Sequence, residues 1–325
     1  MNQRGRKKSL LISSLKQLPP DQKTEILNQL TDAEAEEILF DWSCHARSNQ
    51  LPPDGDWFAW LILAGRGFGK TRTGAETVRT WIKQGYDRIA LIAETAADCR
   101  DVVVEGESGL LACSWKHDRD HKGNIIGVPL YEPSKRRLTW ENGAIATTYS
   151  GDDPEQLRGP QHSKAWVDEL AKYRNAQEMW DNLEMGLRLG DSPQVLISTT
   201  PRPIKLLRDL VKDPDVVVTN GSTYDNSANL DGKFFDRLRK KYEGTRTGRQ
   251  ELHAELLDQA EGALWTREML EVAHHRGDVP EMKRIIVAID PAASDTEASD
   301  ETGIVVCGLG QDDKGYVLKL SLIHI

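Results

Sequence analysis

A lysine followed by a hydroxyl-bearing residue, at the end of a glycine-rich turn, is suited to meet phosphate. Here Lys70-Thr71 closes the stretch Ala64-Gly65-Arg66-Gly67-Phe68-Gly69, "AGRGFGKT", behind the apolar run "WLIL". An amphipathic segment, "TRTGAETVRTWIKQG", overlaps its end. Strand, Gly-rich loop and helix in that order are the context of a P-loop. The glycines let backbone N–H groups close around phosphate oxygens, and the helix N-terminus adds a positive dipole end. Lys70 is then expected to reach the β- and γ-phosphates of ATP, with the Thr71 hydroxyl a ligand of Mg²⁺. Ala64 stands where the common pattern G-x-x-x-x-G-K-[ST] has its first glycine, and alanine is tolerated there if its φ is negative. The same residues would also make a ligand-free strand-to-helix turn, but that gives no structural reason for the Lys-Thr pair.

Two further stretches bear on how the energy is used. "AWVDEL" sets Asp168 and Glu169 at the end of an apolar strand. A carboxylate at a strand tip beside a P-loop can hold Mg²⁺ through its water shell, and a neighbouring one can orient and deprotonate the attacking water. Asp168 is the expected Mg²⁺ partner and Glu169 the expected base. Taken alone, the pair also reads as two solvated acids at a helix start. In "LISTTPRP", Ser198, Thr199 and Thr200 close an apolar strand ahead of Pro201. Such hydroxyls can bond toward a γ-phosphate on one side and a moving element on the other. Taken alone, they also read as a polar strand end before a proline turn.

The elements that must position these residues alternate. "RIALIAET", "SKAWVDELA", "PQVLISTTP" and "DVVVTN" read as buried strands between helical segments, and Asn142-Gly143 marks a hairpin. That pattern predicts an α/β layered fold with a parallel sheet. Residues 1–48 read as a polar helical segment, in which Thr31 and Glu34 have capping-box spacing. Residues 49–230 hold the P-loop domain and 231–279 a basic helical linker or lid. "RIIVAIDPAAS" opens a fresh α/β start at 280–325.

Bulk properties exclude several classes. The net charge of -9 argues against non-specific coating of nucleic acid while leaving room for a local basic track. Cys44, Cys99, Cys113 and Cys307 show no CxxC spacing and read as reduced thiols of a cytoplasmic protein. No apolar run approaches the roughly 20 residues of a membrane span, and no secretory signal is expected.

Together these stretches resemble the large subunit of terminases, closest to the tailed-phage and gene-transfer-agent branch. The resemblance rests on "ARSNQLPPDGDW", "LILAGRGFGKTRTGAE", "DPEQLRGPQHSKAWVDELAKY", "STTPRP", "TYDNSANL" and "AEGALW", and runs from about Trp42 onward. It implies a RecA/ASCE-like P-loop NTPase that packages double-stranded DNA into a procapsid. It further implies a homo-oligomeric ring docked on a portal protein, served by a small terminase subunit. By position, Gln50 looks like the adenine-contacting glutamine and Arg66 like the loop arginine that senses the γ-phosphate. Ser198 to Thr200 look like the coupling motif. Arg158 is a candidate for stabilising transition-state charge, and reads equally as a turn arginine held by Asp152 or Asp153. The DNA track is expected among Lys233, Arg237, Arg239, Lys240, Lys241, Arg246 and Arg249, which also read as a solvated helix face.

The resemblance also implies an RNase H-like nuclease domain dependent on Mg²⁺ or Mn²⁺, with Asp290 as its first metal-holding acid. Two-metal cutting needs further carboxylates, which are expected beyond Ile325. This chain is therefore expected to cut no DNA, and the segment after Val279 to be poorly stable. The ending "LSLIHI" back-translates to CTGTCTCTTATACACATC, a transposon end, so the natural reading frame is expected to continue. The competing readings are a helicase-like or DNA-remodelling P-loop ATPase, and an inactive fragment that binds nucleotide or DNA.

Overall fold

The computed structural model describes residues 30–257, 265, 267–275, 277–291 and 302–323. Most of the predicted N-terminal helical segment, most of "AEGALW", and the last two residues lie outside these. The chain divides into two compact units, residues 1–261 and 262–325.

The first unit is built on an eight-stranded sheet in the order β3-β4-β5-β2-β6-β7-β1-β8. Its parallel strands are β1 (Ala59–Ala64), β2 (Arg88–Ala93), β5 (Ile145–Ser150), β6 (Lys164–Asp168), β7 (Gln194–Thr199) and β8 (Val216–Gly221). The short β3 (Leu130–Glu132) and β4 (Arg137–Thr139) pair antiparallel at one edge, and the expected Asn142-Gly143 turn joins β4 to β5. All six residues of β1 are buried. Trp60, Ile62 and Ala64 enter one core cluster, while Ala59, Leu61 and Leu63 enter another. A strand covered on both faces needs a continuous apolar run, and "AWLILA" supplies one.

Helix α1 (Asp32–Leu39) starts with the predicted capping box, Thr31 with Glu34. Helix α2 (Lys70–Gln84) packs with the first cluster through Ala75, Val78, Trp81 and Ile82. Its Gly74 lies so close to β6 that a Cβ there would come within 2.0 Å of the Trp166 ring. Helices α3 (Ala176–Gly186) and α4 (Lys205–Lys212) feed the second cluster through Met179, Trp180, Leu183 and Leu207. Helices α5 (Gly232–Tyr242) and α6 (Arg246–Glu251) complete this unit.

The second unit contains α7 (Arg267–Ala273) and an antiparallel sheet of β9 (Met282–Asp290), β10 (Thr302–Gly310) and β11 (Gly315–Ile323), ordered β11-β10-β9. Asp290 is the last residue of β9 and pairs in register with Gly303. Among the described residues no helix is long and apolar enough to cross a membrane.

Candidate active site

Three adjacent strand tips make the site. β7 lies between β1 and β6, so the segment after β7 separates the P-loop from the acids that end β6. Between β1 and α2 the chain turns through Gly67 and Gly69, with φ of 78° and 99°. Side chains with a Cβ are strained in that region. Gly69 is the N-cap of α2 and brings no side-chain cap. The first-turn N–H groups are thus left for another acceptor, the arrangement that binds anions. Ala64 is the last residue of β1 and is not among the positive-φ residues, so alanine is tolerated there as expected.

Lys70 is buried. Its Nζ donates to Ala64 O and to Thr200 Oγ1, both at 3.0 Å, and lies 3.4 Å from Glu169 Oε1. Asp168 is sealed at the tip of β6, and Ser198 Oγ donates to its Oδ1 at 2.6 Å. The Trp166 indole N–H in turn donates to Ser198 Oγ at 3.0 Å. The Tyr173 hydroxyl donates to the Asp168 carbonyl at 2.7 Å. Burial, and then the charge of Glu169, push the Asp168 carboxyl up to about 6, while the Ser198 hydrogen bond, Lys70 and Lys172 pull against that rise.

Glu169 adopts φ 56°, in the left-handed region that few non-glycine residues visit. Its N–H donates to Ser198 O at 2.5 Å, and Oε2 accepts from Thr200 N at 3.4 Å. Its side chain is 23% exposed, against near-complete burial of Asp168. One carboxylate is therefore locked by a hydroxyl and the next stays reachable by water. Different environments of this kind give neighbouring acids different roles.

The three hydroxyls of "STT" have separate partners. Ser198 holds Asp168, Thr199 Oγ1 accepts from Ala171 N at 3.1 Å, and Thr200 accepts from Lys70. Thr71 is the second residue of α2 and half-buried. Gln50 is buried beside the start of α2, where its amide donates to Thr73 Oγ1 at 3.0 Å and its carbonyl accepts from Arg47 N at 3.2 Å. The Arg66 side chain is 70% exposed and sits 3.8 Å from Glu251 Oε2. Arg158 is held by Glu155, at 3.1 Å, and by Asn182, at 3.3 Å, rather than by Asp152 or Asp153. No hydrogen bond or ion pair among the described residues joins it to Lys70, Asp168 or Glu169. Asp290 belongs to the second unit, and no group of three or more His, Cys, Asp or Glu able to hold a metal occurs among the described residues.

Several residues that brace the loop were not singled out from sequence. The Arg47 guanidinium stacks over the Phe68 ring at 4.6 Å and donates to Asn226 Oδ1 at 2.8 Å. Asn226 Nδ2 donates to Gly67 O and Thr223 Oγ1 to Arg66 O, both at 2.7 Å. Arg47 and the "TYDN" residues lie in stretches that carried the resemblance, yet their spacing gave no sign that they meet. A Cβ on Gly65 would come within 2.8 Å of the Glu251 and Leu252 carbonyls and of the Thr223 hydroxyl, so the loop fits against that wall only with glycine.

The fold is similar to that of the large terminase from a thermophilic bacteriophage. The TM-score is 0.51 at 14% identity, over 89% of this chain and 68% of that one. The same phage protein in complex with ADP matches with a TM-score of 0.51 at 14% identity, over 89% and 67%. The HK97 bacteriophage large terminase gives a TM-score of 0.50 at 18% identity, over 88% and 62%. No curated protein matches the chain. The family described as terminase large subunit, T4likevirus-type, N-terminal, matches residues 61–272, well over half of the chain. The chain belongs to the family of phage terminase large subunits.

Proposed function

We propose that this chain hydrolyses ATP to drive duplex DNA into a procapsid. The observation that carries the reading is the convergence of Lys70, Glu169 and Thr200 beside a helix start with no side-chain cap, with Asp168 locked one strand away. These residues fit a magnesium nucleotide. Gly65, Gly67, Phe68, Gly69 and Lys70 would surround its phosphates, Gln50 would lie toward its base, and Thr71 and Asp168 would hold the cation. A bound cation would supply charge neutralisation to the nucleotide phosphates.

Glu169 orients the attacking water and takes its proton. Its left-handed backbone aims the side chain from the strand tip back toward Lys70, which keeps it within 3.4 Å. Lys70 exchanges its carbonyl and Thr200 partners for phosphate oxygens. Freed from Lys70, Thr200 can report that exchange along β7, which is the coupling role we assign to Ser198, Thr199 and Thr200. Arg66 would leave Glu251 for the γ-phosphate. Arg158, exposed and distant in its contacts, is assigned to the site of a neighbouring subunit in a ring.

The same reading places the protein in the host cytoplasm, working with a portal protein and a small terminase subunit, in the phage and gene-transfer-agent group. It also assigns Asp290 to a nuclease centre using Mg²⁺ or Mn²⁺, completed by carboxylates not among the described residues. The deciding experiment is phosphate release with and without duplex DNA, alongside nuclease protection of DNA taken up by procapsids. Hydrolysis with ATP-dependent protection supports the reading. Nucleotide binding without turnover, in the presence of DNA and portal, overturns it.

A further inference from the structure

Residues 231–251 carry seven Lys or Arg against four Asp or Glu, in a chain whose net charge is -9. The structure separates the seven. Lys233, Arg237, Lys240 and Lys241 fall at i, i+4, i+7 and i+8 of α5, one face of a helix. With Asp236 they line a shallow groove of about 560 Å³. Arg239 is turned to Asp236 at 3.6 Å, and Arg249 to Glu255 at 2.6 Å. Among the described residues Lys233, Arg237 and Lys240 have no such ion pair. A cationic face whose members are left unneutralised, against the sign of the whole chain, selects a polyanion.

This face is also tied to the P-loop. α5 and α6 are locked together at Gly248, where a Cβ would come within 1.9 Å of the Tyr242 carbonyl, and Thr245 Oγ1 donates to that carbonyl at 2.6 Å. The end of α6 then meets the phosphate loop. Glu251 O accepts from Arg66 N at 2.7 Å, and Leu252 O accepts from Thr223 N at 2.8 Å. The basic face is thus two short, rigid steps from the loop that surrounds the nucleotide phosphates.

We propose that the Lys233–Arg237–Lys240–Lys241 face of α5 is the track on which the phosphate backbone of duplex DNA docks, with α6 linking it to the P-loop. This rests on the packaging-ATPase reading. From Lys233 to Lys241 the face runs ~12 Å along the helix axis, room for about three successive phosphates of one strand. Contacts from Lys and Arg to phosphate carry no base readout, as a motor that accepts any sequence requires.

The test replaces Lys233, Arg237 and Lys240 together by Gln, which keeps helix propensity and removes three charges. A control variant replaces Lys122, Lys135 and Lys212, exposed cations elsewhere on the unit. Binding of a duplex of mixed sequence is measured over a range of salt, and ATP hydrolysis is measured without DNA. The expected result is a plot of log affinity against log salt shallower by about 3 in the α5 variant only, with DNA-free hydrolysis unchanged. An unchanged slope, with wild-type affinity, overturns the track while leaving the ATPase reading intact. Loss of procapsid binding with DNA affinity preserved also overturns it, making α5 a protein-docking surface. Absence of hydrolysis and of DNA binding in the wild-type protein is instead a failure of the underlying reading.

Discussion

Ser198 Oγ lies 2.6 Å from Asp168 Oδ1 and accepts the Trp166 indole N–H from its other side. The hydroxyl has one proton, and the indole occupies its acceptor side; of the two acceptors in reach, the carboxylate at 2.6 Å is far closer than the Val167 carbonyl at 3.4 Å and takes that proton. Burial raises the Asp168 carboxyl to about 6, and the Ser198 bond opposes the rise. Ser198→Ala should therefore lift it further, by about one pH unit or more, since a hydrogen bond to a charged group contributes about 1.5–3 kcal/mol. A carbon-13 NMR titration of the Asp168 carboxyl in the metal-free protein reads this directly. The acid limb of the ATPase profile should move to higher pH with it. An Asp168 titration that Ser198→Ala leaves in place would contradict the assignment of the bond.

Lys70 and Glu169 should separate binding from chemistry. Lys70→Ala removes the charge proposed to meet the β- and γ-phosphates, so nucleotide affinity and hydrolysis should both collapse. Glu169→Gln keeps the shape and the bond from Thr200 N but removes the proposed base. Nucleotide binding should persist while hydrolysis falls roughly 10²-fold or more. Calorimetry with ATP beside single-turnover phosphate release distinguishes the two. Near-normal turnover by Glu169→Gln would rule out its role as the base.

Local chemistry made much of this legible. The Gly-rich turn, the Lys-Thr pair and four apolar runs mark where the P-loop and strands lie, because each depends on neighbours in sequence. Strand order was not legible. That β7 lies between β1 and β6 puts Ser198 against Asp168, 30 positions away, and Thr200 against Lys70, 130 positions away, and it follows from pairings that no local pattern encodes. The buried Arg79–Asp118 pair, with Glu76 on the same guanidinium, was missed for the same reason. Its partners are 39 positions apart and look like ordinary surface charges. Arg47 over Phe68 spans 21 positions, and Asn226 on Gly67 spans 159, so no spacing rule reaches them.

Gly74 and Trp166 form a contact where helix and sheet can come no closer. A Cβ on Gly74 would lie 2.0 Å from the indole Cε2 and 2.5 Å from its Nε1. Gly74→Ala should destabilise the protein by about 1–3 kcal/mol or more, although alanine favours a helix. It should also displace the indole from Ser198 and slow hydrolysis. Adding Trp166→Phe should recover part of the stability while hydrolysis stays low, because phenylalanine offers no N–H to Ser198. Denaturant melts of the two single variants and the double variant give the coupling. Strict additivity would mean that the two residues do not meet.

His162 is buried against the Tyr149 ring, with centroids 5.4 Å apart, and its Nε2 has no hydrogen-bond partner among the described residues. Burial lowers its pKa from 6.5 to about 4, so the folded protein holds it neutral. Below pH 6.5 the unfolded chain takes up a proton that the folded protein refuses until about pH 4. The contribution of His162 is thus fully present above pH 6.5 and is lost as pH falls toward 4, up to about 3 kcal/mol. Asp168 works in the opposite sense over nearly the same range. Its raised pKa favours the folded state at low pH and withdraws that support as pH climbs from 3.8 to about 6. Wild-type stability alone therefore mixes two opposed slopes. The informative quantity is the difference in unfolding free energy between the wild type and His162→Phe, which keeps a ring of similar shape against Tyr149 and cannot titrate. That difference should shift in favour of the variant by about 3 kcal/mol between pH 7 and pH 4. Urea unfolding at several pH values measures it, and a difference that stays flat across the range would mean that His162 takes up its proton as readily in the folded protein as in the unfolded chain.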